Sequence, residues 1–121
     1  MKTCLIVDDS KVVRIVARRI IEKLGFNIAE AEDGQQAIDY CKQQFPDFIL
    51  LDWYMPIKSG IEFLPELRAL PGGDAPIVIF CTTENEIGHI QQAIMAGANE
   101  YVMKPYDEDI LLGKLAQVGI I

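Results

Sequence analysis

Cysteine, histidine and tryptophan are scarce in this sequence, and long apolar runs are missing. The three cysteines, Cys4, Cys41 and Cys81, are odd in number, far apart and in no C-x-x-C spacing. That argues against a disulfide framework or a cysteine zinc site and fits a reducing cytoplasm. Each lies in or beside an apolar run, so each is expected as a small buried hydrophobe. The single histidine, His89, has no second His or Cys at ligand spacing and is expected at the surface. The apolar stretch near the start, Leu5-Ile6-Val7, stops at two aspartates. A signal peptide needs a longer one and a membrane span about 20 residues, so no membrane insertion is expected. Basic residues are also few: 11 Lys and Arg face 18 Asp and Glu, for a net charge of −7. Such a field repels phosphate backbones, and no nucleic-acid partner is expected.

What is present is an alternation. With 121 residues, half of them hydrophobic, the chain has room for one domain, 1–121, able to fold without covalent staples. Apolar runs of strand length occur at 3–7, 48–51, 77–81 and, shorter, 101–103, with a weaker edge-like strand at 27–31 that alternates Ile28 with Glu30. Between them the periodicity predicts helices. The first runs over 10–24, with Ser10 as its cap, Gly25 as its stop, and Val13, Val16, Ala17, Ile20 and Leu24 facing inward. The second, over 33–44, turns Ala37, Ile38 and Cys41 inward. Further helices are predicted over 60–70, 85–96 and 107–118. Pro65 lacks an N–H and should delay or kink the third helix, and Gly88 should weaken the fourth. Five βα units imply an α/β fold with a five-stranded parallel sheet, doubly wound and covered on both faces.

The chemistry gathers where the apolar runs end. The first is followed by Asp8-Asp9, the third by Asp52, the fourth by Thr82 and the fifth by Lys104-Pro105. In an open parallel sheet these carboxyl ends share one edge, where ligands bind. Three crowded carboxylates repel one another, and a hard divalent cation such as Mg²⁺ relieves them. Lys104 adds a positive charge, and the Thr82 hydroxyl can bond a phosphoryl oxygen. A carboxylate flanked by a metal and a lysine is equipped to attack phosphorus.

In this order and spacing Asp8-Asp9, Asp52, Thr82 and Lys104-Pro105 resemble the response-regulator receiver domain, and the likeness runs from Lys2 to the last helix. The type it is most similar to is the CheY-like, stand-alone regulator of chemotaxis and two-component signalling. The resemblance implies a flavodoxin-like three-layer sandwich with strand order 2-1-3-4-5, the order for which CheY is a standard example. It implies Asp52 as phosphoacceptor, Mg²⁺ held by Asp9, Asp52 and the Tyr54 carbonyl with Asp8 acting through water, and Lys104 on the phosphate before a cis proline. Thr82 and Tyr101 would act as the switch. The implied partners are a histidine kinase or phosphotransfer protein and a downstream target on the face of the fourth helix, fifth strand and fifth helix. The unphosphorylated protein is expected to be a cytoplasmic monomer, a regulator rather than an enzyme apart from its own phosphotransfer and dephosphorylation.

Some positions depart from that pattern. Tyr54, two after the acceptor, is larger than the small polar residue common there, and its ring could shield the acyl phosphate. Glu84, two after Thr82, could line the other side of the same water path. Ser59 replaces a common acidic residue without clear consequence. Trp53 either packs or lies at the pocket rim. Arg14, Arg18 and Arg19 form either a solvated face or a steering patch for an acidic kinase surface.

Three rivals remain beside the signalling switch. A phosphate sink or relay intermediate needs the same site. A Mg²⁺-dependent phosphatase of the haloacid dehalogenase type needs a second aspartate where Tyr54 stands, and a phenol is a poor general acid in place of a carboxyl group. A flavin-binding module would meet the repulsive Asp8-Asp9 pair.

Overall fold

The computed structural model describes residues 2–83 and 87–121, with backbone only for Ile87. Its elements alternate as β1 (Thr3–Val7), α1 (Lys11–Glu22), β2 (Asn27–Ala31), α2 (Gly34–Gln43), β3 (Phe48–Asp52), α3 (Gly60–Ala69), β4 (Ile77–Thr82), α4 (Ile87–Met95), β5 (Glu100–Met103) and α5 (Glu108–Gln117). All strand pairs are parallel, in the order β2-β1-β3-β4-β5. The flavodoxin-like, doubly wound α/β sandwich is therefore what the sequence forms.

Strand alternation sorts the core into two layers. Leu5, Val7, Ile49, Leu51, Val78 and Phe80 face α2, α3 and α4, where Ile38, Phe63, Leu64 and Leu67 are buried. Their neighbours Cys4, Ile6, Phe48, Leu50, Ile79 and Cys81 face the opposite side, with Ala17 and Ile21 of α1 and Leu111 and Leu115 of α5. β3 is buried along its whole length, as a central strand covered on both faces must be. β2, at the edge, exposes Asn27 and Glu30. The three cysteines are buried thiols.

The helix ends follow local chemistry. Ser10, Asp33 and Asp107 each accept a hydrogen bond from the N–H three residues on, capping α1, α2 and α5. Gly25, at φ 83°, takes the left-handed conformation just beyond α1.

Two expectations need correction. α3 does not start late despite Pro65: it begins at Gly60, because Ser59 and Glu62 form a reciprocal capping box there. Pro65 is exposed, so the Ile61 carbonyl that loses its partner can turn to water. On α1 the inward face is rotated from the expected one. Arg14, Ala17, Ile20 and Ile21 are buried, whereas Val16 is 44% exposed. Val16 instead lines a shallow apolar groove with Val12, Val13, Pro105 and Tyr106. The helix turns this way because Arg14 carries its charge inward to partners that β1 and β2 supply.

Candidate functional site

Asp8 and Asp9 follow β1, Asp52 closes β3, Thr82 closes β4, and Lys104 follows β5. The parallel sheet brings these ends to one edge, as expected. Carboxylate oxygens of Asp8, Asp9 and Asp52 all lie within 4.8 Å of one another. The Lys104 ammonium bridges two of them, donating to Asp8 Oδ2 at 2.6 Å and Asp52 Oδ1 at 2.8 Å. Asp8, Asp52 and Thr82 are buried and Asp9 is exposed, so the cluster has a wet side and a dry side.

Backbone contacts fix Asp8, Asp52 and Lys104. Asp8 Oδ1 accepts from the Ser10 N–H at 2.9 Å, and its carbonyl accepts from Arg14 Nη1 at 2.7 Å. Asp52 Oδ1 also accepts from the Trp53 N–H at 2.9 Å, so among the described residues both hydrogen bonds to this carboxylate fall on one oxygen. The Lys104 N–H donates to the Thr82 carbonyl at 2.8 Å, pinning the lysine's backbone to the end of β4. The Lys104–Pro105 peptide is cis. Gly60 is required where the loop after β3 turns into α3: a Cβ there would collide with the Asp52 carbonyl oxygen.

The electrostatics are those of an incompletely neutralised acidic pocket. Burial raises the Asp52 pKa above its ordinary 3.8; Lys104 opposes that shift and Asp8 adds to it. For Lys104 burial works against the charge, but the hydrogen bonds to Asp52 and Asp8 outweigh it, and its pKa is raised. Three carboxylates against one ammonium leave a formal −2 (−3 + 1). All-oxygen donors, one exposed carboxylate and a deficit of two charges suit a hard divalent cation of the Mg²⁺ kind. The residues present fit such an ion.

Around this centre the aromatic residues take definite places. Trp53 packs instead of lining a rim: it is buried, with its ring centroid 4.9 Å from Phe80. Tyr54 is 56% exposed. Its ring lies 6.3 Å from Trp53, and its hydroxyl is 3.4 Å from Nε2 of His89. Tyr101 is half-buried on β5, with the Lys114 ammonium 4.7 Å from its ring centroid. Glu84 lies outside the described residues.

Three residues at or beside the site differ from their sequence expectation. Arg14 is no solvated cation: besides Asp8 it binds Glu30 at 3.0 Å and approaches Glu32 at 3.7 Å. Arg18 is likewise paired, with Glu22 and Glu30, and of the three only Arg19 is freely exposed. The clue was in the pattern, since β1 pairs with β2 and places Glu30 and Glu32 beside the start of α1. His89, expected as a surface residue, is half-buried and packs edge-on against Trp53 at 5.1 Å.

Comparison with known proteins agrees with this arrangement. The model of the response regulator receiver domain matches residues 4–116. A curated relative, Protein CcdB of Bacillus subtilis, is 36% identical and covers 98% of each chain. The Chemotaxis protein CheY of Halobacterium salinarum is 35% identical over 97% of this chain and 96% of its own. Among solved structures, the CheX–CheY–BeF3–Mg²⁺ complex from Borrelia burgdorferi contains a chain that superposes with a TM-score of 0.90. It has 28% identity over 97% of this chain and 88% of that one. With an acidic triad, a bridging lysine and a buried threonine at the ends of four parallel strands, and with that match across nearly all its length, this chain belongs to the response regulator receiver family.

Proposed function

We propose that the chain is a single receiver domain over residues 1–121 that accepts a phosphoryl group on Asp52 from a phosphohistidine of a kinase or phosphotransfer protein. The observation that carries this reading is the Lys104 ammonium held between Asp8 and Asp52 inside the carboxylate triad. Lys104 and the Trp53 N–H occupy Asp52 Oδ1, leaving Oδ2 to attack phosphorus while the P–N bond to the imidazole breaks. The Thr82 hydroxyl donates a hydrogen bond to a phosphoryl oxygen, a role supported by its burial at the end of the neighbouring strand. Asp9, Asp52 and the Tyr54 carbonyl would hold Mg²⁺, with Asp8 through water. When bound, that ion neutralises charge on the transferring oxygens.

The output follows from the same contacts. Phosphorylation draws Thr82 toward the phosphoryl group, and the Tyr101 ring turns inward into the space it leaves. That displaces a small two-state element on α4, β5 and α5. Ile94 and Met95 of α4 and Ile110 of α5 are exposed there, Met95 by 87%, and they offer apolar contacts to a downstream protein. The chemotaxis relative in the comparison favours motor control as the output. The buried free thiols suit a cytoplasmic setting. Tyr54 shields the acyl phosphate from water and lengthens its life relative to a small residue there; Tyr54→Asn should shorten it.

The test uses Trp53, the only tryptophan, whose N–H is bonded to the acceptor. Its emission should change saturably with Mg²⁺ and again with beryllofluoride, and the second change should be lost in Asp52→Asn. No response in the wild type, with calorimetry equally flat, would overturn the proposal.

A further inference from the structure

His89 sits in the first turn of the described α4, yet its ring touches both residues that follow the acceptor. It packs edge-on against Trp53 at 5.1 Å, with an interplanar angle of 63°, and its Nε2 lies 3.4 Å from the Tyr54 hydroxyl. Trp53 is itself immobilised, buried against Phe80 and bonded through its N–H to Asp52. Tyr54 is otherwise a large ring mostly in water, where side chains exchange rotamers freely. One imidazole therefore ties the mobile Tyr54 ring to the fixed Trp53 ring, the two residues that follow the phosphoacceptor.

The topology says where this clasp lies. β3 and β4 are adjacent, with Asp52 opposite Cys81 in register. Tyr54 follows β3 and His89 follows β4, so their contact spans the edge between the two strand ends that carry Asp52 and Thr82. A ring held there narrows the approach to the acceptor from that side, and a ring released from it does not.

We infer that His89 is a positioning residue that holds the Tyr54 ring across the β3–β4 side of the site and so lengthens the life of the acyl phosphate on Asp52. The inference rests on the proposed phosphorylation of Asp52 and assigns the regulation of that same site. The effect of His89 passes through Tyr54.

The experiment is a double-mutant cycle on phosphoryl loss. Wild type, His89→Ala, Tyr54→Ala and the double variant are charged with acetyl phosphate and Mg²⁺, stripped of donor, and followed by intact mass. Loss of one weak polar contact corresponds to a rate increase between about twofold and tenfold, and that shortening of the lifetime is expected for His89→Ala. Tyr54→Ala should shorten it at least as much, and the double variant no more than Tyr54→Ala alone. A general loosening of the fold would instead persist in the Tyr54→Ala background, so multiplicative effects would overturn the inference. His89→Phe keeps a ring against Trp53 and removes the nitrogen, and it should also shorten the lifetime if His89→Ala folds poorly. A wild-type lifetime in His89→Phe and His89→Ala would sink this inference alone. No acyl phosphate on the wild type would sink the phosphorylation proposal and this inference with it.

Discussion

Replacing Arg14 with alanine should destabilise the protein by about 2–3 kcal/mol and weaken its hold on Mg²⁺. Arg14 is buried, and its Nη1 donates at 2.7 Å to the carbonyl of Asp8, a residue of the acidic triad. A hydrogen bond from a charged donor contributes about 1.5–3 kcal/mol, and its loss leaves a buried carbonyl without that partner. The Glu30 pair adds less, because that side chain is 35% exposed and keeps Arg18 at 2.7 Å. Glu32, 64% exposed and 3.7 Å away, adds little. For a chain of this length the total corresponds to a fall in Tm of roughly 8–12 °C. Urea unfolding followed by Trp53 emission measures the loss, and a Mg²⁺ titration of the same variant reads whether Asp8 has shifted. Exposed Arg19→Ala is the control and should stay within about 0.5 kcal/mol of wild type. An Arg14→Ala protein as stable as Arg19→Ala would refute the claim that this arginine anchors the site.

Other consequences are simpler to check. Burial pushes the Cys41 thiol up to about 11 and the Cys81 thiol up to about 12, and raises Cys4 as well. The thiolate is the reactive form, so the native protein at pH 8 should leave all three unreacted toward a thiol reagent, and denatured protein should react fully. Ile57 is a β-branched residue at φ 69°, with the Lys58 N–H bonded back to the Pro56 carbonyl at 2.7 Å. Left-handed backbone costs such a residue about 1–2 kcal/mol, so Ile57→Asn should raise stability by about 1 kcal/mol in chemical denaturation. Asp52 has its pKa raised in the folded state, so its charge opposes folding above that raised value and ceases to matter below the ordinary 3.8. Without Mg²⁺, Asp52→Asn should therefore be the more stable protein at pH 7. Its advantage should shrink as the pH falls through that window, as urea titrations at several pH values would record.

The sequence made the sheet and its functional edge legible for a physical reason. Buried parallel strands need unbroken apolar runs, and Asp8, Asp52, Thr82 and Lys104 stand out because each terminates one. Helix bounds were readable to within a residue or two where a cap residue announced them, as at Ser10 and Asp33. Less legible was anything decided by partners distant in the chain. Arg14 and Val16 exchange their expected places because Asp8 and Glu30 draw the guanidinium inward, a pull that periodicity on α1 does not encode. Of the delay or kink expected from Pro65, the delay does not occur, because the Ser59–Glu62 box fixes the helix start five residues earlier. His89 lacked any ligand-spaced neighbour in sequence; its partners, Trp53 and Tyr54, reach it only because β3 and β4 lie side by side.

The most direct test of the account is the intact mass of the protein after incubation with acetyl phosphate and Mg²⁺. One added phosphoryl group is expected on the wild type, and none on Asp52→Asn or when the metal is chelated. Equal incorporation in Asp52→Asn, or none in the wild type at saturating donor, would contradict it.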